Sequence, residues 1–416
     1  MNTVKLDKKT AKAIIHQLGS SGTPPQFGIE HFSVGLEPFL KVIEEEYLRD
    51  ILKLNLSSFK MITGNYGGGK THFLYMLRDL AWKNNYVTSY APLSPTECPF
   101  DRLELVYKKI VLNIAPPLEN GQPFSDQIGI DILLKDIDKK STGILMKLSR
   151  LESSSFANAI KAAILNLKNE DEEGFYEVIQ WLKGEDVPKE LRLRYRISER
   201  IDRSNAFRML RSLVQFINAM GYSGLILLFD EAERGMSISS ARDKRRALDN
   251  LRQLIDECGN SRLPGAMFFY AIPDENLLLE GTGGVYEALK QRLRSNFTRI
   301  NPMGVKINLE ELGLEPVDFL TRLGKKLKNI FEIAYDCRLK DDLFIPSMKN
   351  LVEAALELQT LDISYRRIFV VGIIEAYQRL KQEQILITEE IAREILRSTV
   401  KMLSEKEREE VEKEEY

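Results

Sequence analysis

Apolar positions along the chain fall into two kinds of run. Short, largely apolar stretches at 59–63, 86–91, 224–230, 267–272 and 305–309 predict β-strands. The one before Asp230 is apolar from Leu225 to Phe229, which predicts a central strand covered on both faces, as in a parallel sheet. Other segments are apolar at helical spacing: Ala11, Ile14, Ile15 and Leu18 within 1–20, then 37–53, and then Phe73, Leu74, Leu77, Leu80 and Ala81 on one face of a helix ending near 83. A further helix is predicted over 101–114. Five strands alternating with helices predict an α/β fold with a parallel sheet. Residues 116–203 are mostly helical in pattern, as in Ala159, Ile160, Ala163 and Ile164 or Phe175, Val178, Ile179 and Leu182. That length exceeds what a crossover needs, so the segment reads as a helical insertion. Ser204 is placed to cap the next helix. From Glu315-Pro316 the pattern is helical throughout, striped by Leu320, Leu323, Leu327, Ile330 and Phe331, with later helices over 347–358, 364–382 and 388–403. This predicts a C-terminal helical bundle. Beyond Ser404 the apolar content is too low to pack, which predicts a frayed acidic tail.

Composition adds limits. A chain of 416 residues with 44 % hydrophobic content is expected to bury a large core and to form more than one domain. No run approaches the length of a membrane span and the first residues lack an apolar leader, so a cytoplasmic location away from membranes is expected. Cys98, Cys258 and Cys337 are scattered and accompanied by only three histidines, which suggests neither a disulfide framework nor a zinc site. The net charge is −2, of which residues 404–416 carry −4, leaving +2 for the rest. Such a balance neither demands nor excludes nucleic acid. Lys189, Arg192, Arg194, Arg196, Arg200 and Arg203, with Tyr195 among them, read either as a nucleic-acid or partner surface or as a solvated helical face. Arg242, Lys244, Arg245, Arg246 and Arg252 read as a surface for DNA or a neighbouring subunit's nucleotide, or as charge paired with Asp243 and Asp249.

Two motifs carry chemistry. Between the first strand and its helix lies Gly64-Asn65-Tyr66-Gly67-Gly68-Gly69-Lys70-Thr71, a full match to the Walker A pattern. Successive backbone N–H groups must curl around a polyphosphate, which glycines permit without steric cost. Lys70 then neutralises the terminal phosphates and the Thr71 hydroxyl ligates Mg²⁺. The apolar strand ending at Asp230-Glu231 fits the Walker B pattern: Asp230 emerges at the strand's carboxyl end to hold Mg²⁺, and Glu231 polarises the attacking water. Upstream, Phe27-Gly28-Ile29-Glu30-His31-Phe32-Ser33-Val34-Gly35 reads either as an adenine-side arm or as a core-anchoring loop.

The order of these parts resembles the AAA+ ATPases, especially their initiator-like and STAND-like branches. Residues 27–35, Gly64 to Leu74 with His72 included, and 221–233 resemble the BREX-system ATP-binding proteins of BrxD type over roughly residues 8–400. The resemblance implies an N-terminal helix and adenine-side arm at 1–35, a P-loop (AAA+) core at 36–312 containing the insertion at 116–203, a helical lid at 313–403 and an acidic tail at 404–416. It implies that Val34 and Gly35 face the adenine, that Gly64 to His72 line the phosphates of ATP, and that Thr71 and Asp230 serve Mg²⁺. Glu231 is the implied catalytic acid, Arg366 the implied lid arginine that senses the γ-phosphate with Arg367 its competitor, and Arg292 or Arg294 the implied arginine finger. Two positions depart from the pattern: Ile272 stands where a hydroxyl or amide sensor is usual, with Asp274 nearest in sequence, and Tyr365 stands where Pro is common. The function implied is a Mg²⁺-dependent ATPase that assembles with copies of itself and remodels or loads a superfamily 2 DNA helicase in prokaryotic phage defence, DNA being a further partner. The alternative is a nucleotide-gated, STAND-like signalling or scaffold switch that binds a protein partner without DNA. A small-molecule kinase is disfavoured because no acceptor-substrate motif is present.

Overall fold

The computed structural model describes residues 6–118, 128–140, 148–238, 240–274, 276, 284–358 and 364–414. Expectations that fall on 119–127 and 141–147 of the insertion, on the glycine-rich turn ahead of 284 and on Ile363 lie outside these residues. The chain divides into two compact units, one of Met1–Pro38, Gly64–Met76 and Leu309–Tyr416, the other of Phe39–Thr63 and Leu77–Asn308.

The second unit is built on a six-stranded sheet of β1 (Ser58–Thr63), β2 (Val87–Pro92), β3 (Ile114–Ala115), β4 (Leu225–Asp230), β5 (Ala266–Ile272) and β6 (Lys306–Asn308). Their order is β3-β2-β4-β5-β1-β6. All neighbours run parallel except β3, which pairs antiparallel with β2. The sheet therefore has one strand more than the apolar runs predict, because β3 is two residues long and shows no period. One strand, β5, lies between β1 and β4. Thr63 pairs with Ile272, and Asp230 with Pro92, so the carboxyl ends of β1, β4 and β5 share one edge.

Uniformly apolar strands are what burial on both faces requires, and every residue of β4 and β5 is buried. Phe100 meets Phe229 and Tyr270 edge-on at 6.0 and 5.6 Å, the offset geometry that ring quadrupoles favour. The insertion is helical where described: α5 (Ile130–Lys140), α6 (Ser154–Lys168), α7 (Glu172–Leu182) and α8 (Lys189–Arg194). Ser153 and Asp171 cap α6 and α7 by accepting from Phe156 N and Gly174 N. Three further helices, α4 (Leu103–Leu112), α9 (Ala206–Ala219) and α10 (Ala241–Gly259), accompany the sheet, with α11 (Gly284–Leu293) packed on α10. Ser204 does not cap α9; its hydroxyl donates to Asp202 Oδ1 at 2.6 Å, and Asn205 holds the cap position.

The helix predicted over 37–53 is broken. It runs as α2 (Glu37–Val42), a π turn at Ile43–Leu48 and a 3₁₀ turn at Ile51–Leu54. The wider turn, closed by Arg49 N–H on Glu44 O at 3.0 Å, brings Tyr47 and Leu48 both into the interior. Beneath them Lys60 of β1 is buried. Its Nζ donates to Tyr47 Oη and Gly304 O at 2.6 Å each and to Pro302 O at 3.2 Å. Desolvation pushes that ammonium down to about 7.

In the first unit, α1 (Lys8–Ser21) is capped by Asp7, which accepts from Lys9 N and Thr10 N, and ends at Gly22 with φ +68°. It packs on α12 (Pro316–Tyr335) and α14 (Tyr365–Gln382), which lie beside α13 (Asp341–Leu356) and α15 (Glu389–Glu414). A Cβ at Gly324 would come within 2.4 Å of Met348 Cε, and one at Gly372 within 2.4 Å of Leu396 Cδ2. Helix pairs approach closely at these glycines, where a larger residue would require Met348 or Leu396 to shift. The tail expected to fray beyond Ser404 instead continues α15 to Glu414. Glu, Lys and Arg are strong helix formers, and Lys406 Nζ donates to Ser20 O at 2.6 Å.

Candidate functional site

The phosphate loop follows β1 directly and opens into α3 (Lys70–Lys83). Gly67 and Gly69 have φ of +71° and +97°, the left-handed region that penalises any side chain. The turn closes with Gly68 N–H on Asn65 O at 2.8 Å. Lys70 is buried along the loop, its Nζ donating to Gly64 O at 2.7 Å and Asn65 O at 3.2 Å, with the exposed Tyr66 ring 5.3 Å away. Thr71 sits in the first turn of α3, half-buried.

Arg366 comes to this loop from the start of α14. Ser364 caps that helix by accepting from Arg366 N. The guanidinium is 9 % exposed; Nη1 donates to Gly68 O at 2.9 Å and Leu309 O at 3.1 Å, and Nη2 pairs with Glu310 Oε2 at 3.3 Å. The rings of Phe319 and Tyr365 lie 4.9 and 5.8 Å from it. Arg366 thus brings its charge to the loop. Arg367 donates its Nε to Ser21 O at the end of α1, and its stem lies over Gly67, its Cβ standing 3.1 Å from where a Cβ on that glycine would be.

Glu310 was not singled out by the sequence reading. Its Oε1 accepts from Asn65 N–H of the loop at 3.2 Å while Oε2 holds Arg366. One of two adjacent acids, Glu310 and Glu311, just past a three-residue strand carries little signal; only the fold places it there.

The upstream arm belongs to the same unit. Val34 is buried, and Gly35 has φ +78° with Leu314 Cδ1 3.1 Å from where a Cβ would stand. Ser33 O accepts from Lys326 Nζ at 2.5 Å. His72 Nε2 meets Ser33 Oγ at 2.5 Å, and its ring lies 5.0 Å from Phe32. Desolvation, helped by the Lys326 charge, pulls this imidazole down to about 4, so it is neutral at physiological pH and fastens the arm to α3.

In the other unit, Asp230 ends β4 with 2 % exposure. Tyr90 Oη donates to its Oδ2 at 2.7 Å and Glu231 N–H to its Oδ1 at 3.0 Å. Glu231 turns out of the strand with φ +49°, and its half-exposed carboxylate takes Arg234 Nη1 at 2.8 Å. Ile272 is fully buried at the end of β5, and Asp274 accepts from Asn276 N and Nδ2. Arg292 grips Asp256 with Nε and Nη2 at 2.7 and 3.0 Å, while Arg294 is exposed.

Part of the basic stretches is compensated. Arg194 pairs with Glu177, Arg200 with Asp186, Arg246 with Asp243 and Arg252 with Asp249. Arg242 and Arg245 on α10 face solvent. Among the described residues no cluster of three or more His, Cys, Asp or Glu is arranged to cage a metal, and no helix is long and apolar enough to cross a membrane. Within its own unit each of Thr71, a hydroxyl at a helix start, and Asp230, a buried carboxylate at a strand end, is an oxygen donor of the kind Mg²⁺ takes.

A family model described as BREX system ATP-binding protein BrxC/D matches residues 6–121 and 127–338. Comparison with curated proteins and with solved structures gave no match.

Proposed function

The chain belongs to the BREX system ATP-binding proteins of BrxC/D type, and on that premise we propose that it is a Mg²⁺-dependent ATPase of AAA+ kind acting in phage defence. The observation that carries this reading is the buried Arg366 guanidinium held against Gly68 O of a Walker A loop. A cation delivered by a C-terminal helix to the backbone that cradles phosphates is suited to report the terminal one. The sheet order supports the AAA+ kind, since one strand separates the loop-bearing β1 from the acid-ended β4.

In this reading the loop amides and Lys70 hold the phosphates, and Thr71 and Asp230 hold the Mg²⁺, which supplies charge neutralisation at the β- and γ-phosphates. Glu231 polarises the attacking water. Arg294 serves a neighbouring copy's site, so hydrolysis depends on self-assembly. The assembly acts on a DNA helicase, with the exposed Arg242 and Arg245 of α10 turned to DNA.

The test is direct. Lys70→Ala abolishes ATP binding, and Glu231→Gln keeps binding but stops hydrolysis; normal hydrolysis by Glu231→Gln rejects the assignment. Size measurement with and without ATP tests assembly. DNA binding that weakens with salt, and less steeply after removal of Arg242, Arg245 and Arg246, supports the DNA role.

A second reading, a nucleotide-gated switch that binds a protein partner, is favoured by the buried Ile272 at the sensor position and by the Glu231–Arg234 pair. Both features favour slow turnover. Absence of DNA binding at low salt decides for it.

A further inference from the structure

Glu310 stands at the junction of two groups that a phosphate would use. One of its oxygens accepts the Asn65 N–H of the loop at 3.2 Å, and the other holds Arg366 Nη2 at 3.3 Å. It also lies close along the loop, 2.8 Å from where a Cβ on Gly68 would be and 3.6 Å from one on Gly64. Arg366 is nine-tenths buried, and its Nε, also buried, has no hydrogen-bond partner. Glu310 supplies the carboxylate that meets this guanidinium, beside the Gly68 and Leu309 carbonyls and two ring faces.

We propose that Glu310 is a specificity-determining residue: an internal anion that competes with the terminal phosphate for Arg366 and so sets the preference of the site for triphosphate over diphosphate. The inference rests on the nucleotide reading above. A diphosphate held by the loop and Lys70 leaves the Glu310–Arg366 pair in place. A triphosphate has to take Arg366 from Glu310, so the broken ion pair offsets part of what the terminal phosphate gains. The carboxylate thus weakens triphosphate binding selectively, by an amount that depends on Arg366 being present.

The experiment is a double-mutant cycle on the full chain. Dissociation constants for a non-hydrolysable ATP analogue and for ADP are measured in the unmodified protein, Glu310→Gln, Arg366→Ala and the double variant. Glutamine keeps the shape and the acceptor for Asn65 N–H, and thermal unfolding verifies each fold. In Glu310→Gln the ratio of ADP to analogue constants is expected to rise by at least about fivefold. In the Arg366→Ala background the same change is expected to leave that ratio unmoved. Equal tightening for both nucleotides, or an equal rise in both backgrounds, overturns the inference and leaves the nucleotide reading standing. No binding of either nucleotide by the unmodified chain overturns both.

Discussion

Arg292 holds Asp256 through both carboxylate oxygens, at 2.7 and 3.0 Å, and so ties α11 to α10. A bidentate pair fixes geometry, which leaves Arg294, exposed two residues on, as the finger candidate. Arg294→Ala is expected to lower turnover of the assembled protein by about 10³-fold with no change in melting temperature. Arg292→Ala, which loses a half-exposed pair, is expected to cost about 1 kcal/mol of stability or less. Steady-state ATPase assays beside thermal unfolding separate the two; the opposite pattern assigns the finger to Arg292.

Glu231 is engaged by Arg234 across one helical turn. An exposed pair of this spacing is worth at most about 1 kcal/mol, so on the proposed function it would slow the carboxylate's use of water without abolishing it. Arg234→Ala is expected to raise turnover by up to about fivefold with nucleotide affinity unchanged. Single-turnover rates check this, and a fall in rate instead makes Arg234 a positive participant.

His72 is held at about 4 in the fold against 6.5 in the free side chain. As pH falls the unfolded chain takes up the proton first, so the stability contributed is full above about 6.5 and is lost between 6.5 and 4. At pH 5 that loss is about 2 kcal/mol. Urea midpoints at pH 7 and pH 5 are expected to diverge for the unmodified protein and to draw together in His72→Gln, which keeps an acceptor for Ser33. Equal pH dependence in the two proteins contradicts the buried neutral imidazole.

Lys60 gives the opposite part of the scale. Its ammonium, held at about 7 against 10.5, is lost from the fold before it is lost from the unfolded chain. Stability therefore rises as pH climbs from about 7 towards 10.5, by about 2 kcal/mol at pH 9 relative to pH 7. Lys60→Met is expected to remove that rise and to speed amide exchange at Gly304 and Val305, whose loop loses its anchor. Hydrogen exchange and alkaline melts measure both.

Much of the fold is legible in the chain because its elements are extreme. A strand such as β4, apolar from Leu225 to Phe229, has few other ways to be buried, and the glycines of 64–69 have few other uses. What escaped was set by partners distant in sequence or by elements too short to show a period. Ile114 and Ala115 form a strand only because β2 lies beside them. The π turn at Ile43–Leu48 exists to seat Tyr47 over Lys60. The place of Arg367 depended on Ser21, and the part played by Glu310 on Arg366, 56 positions later. The acidic segment after Ser404 reads as solvent-loving, but charge of both signs at short spacing also builds helix.

Gly324 against Met348 and Gly372 against Leu396 let the four C-terminal helices approach closely. Arg366 stands at the foot of α14, inside that quartet. On the proposed function, a displacement of it would be carried within that unit along α15, a rod of about 39 Å for its 26 residues.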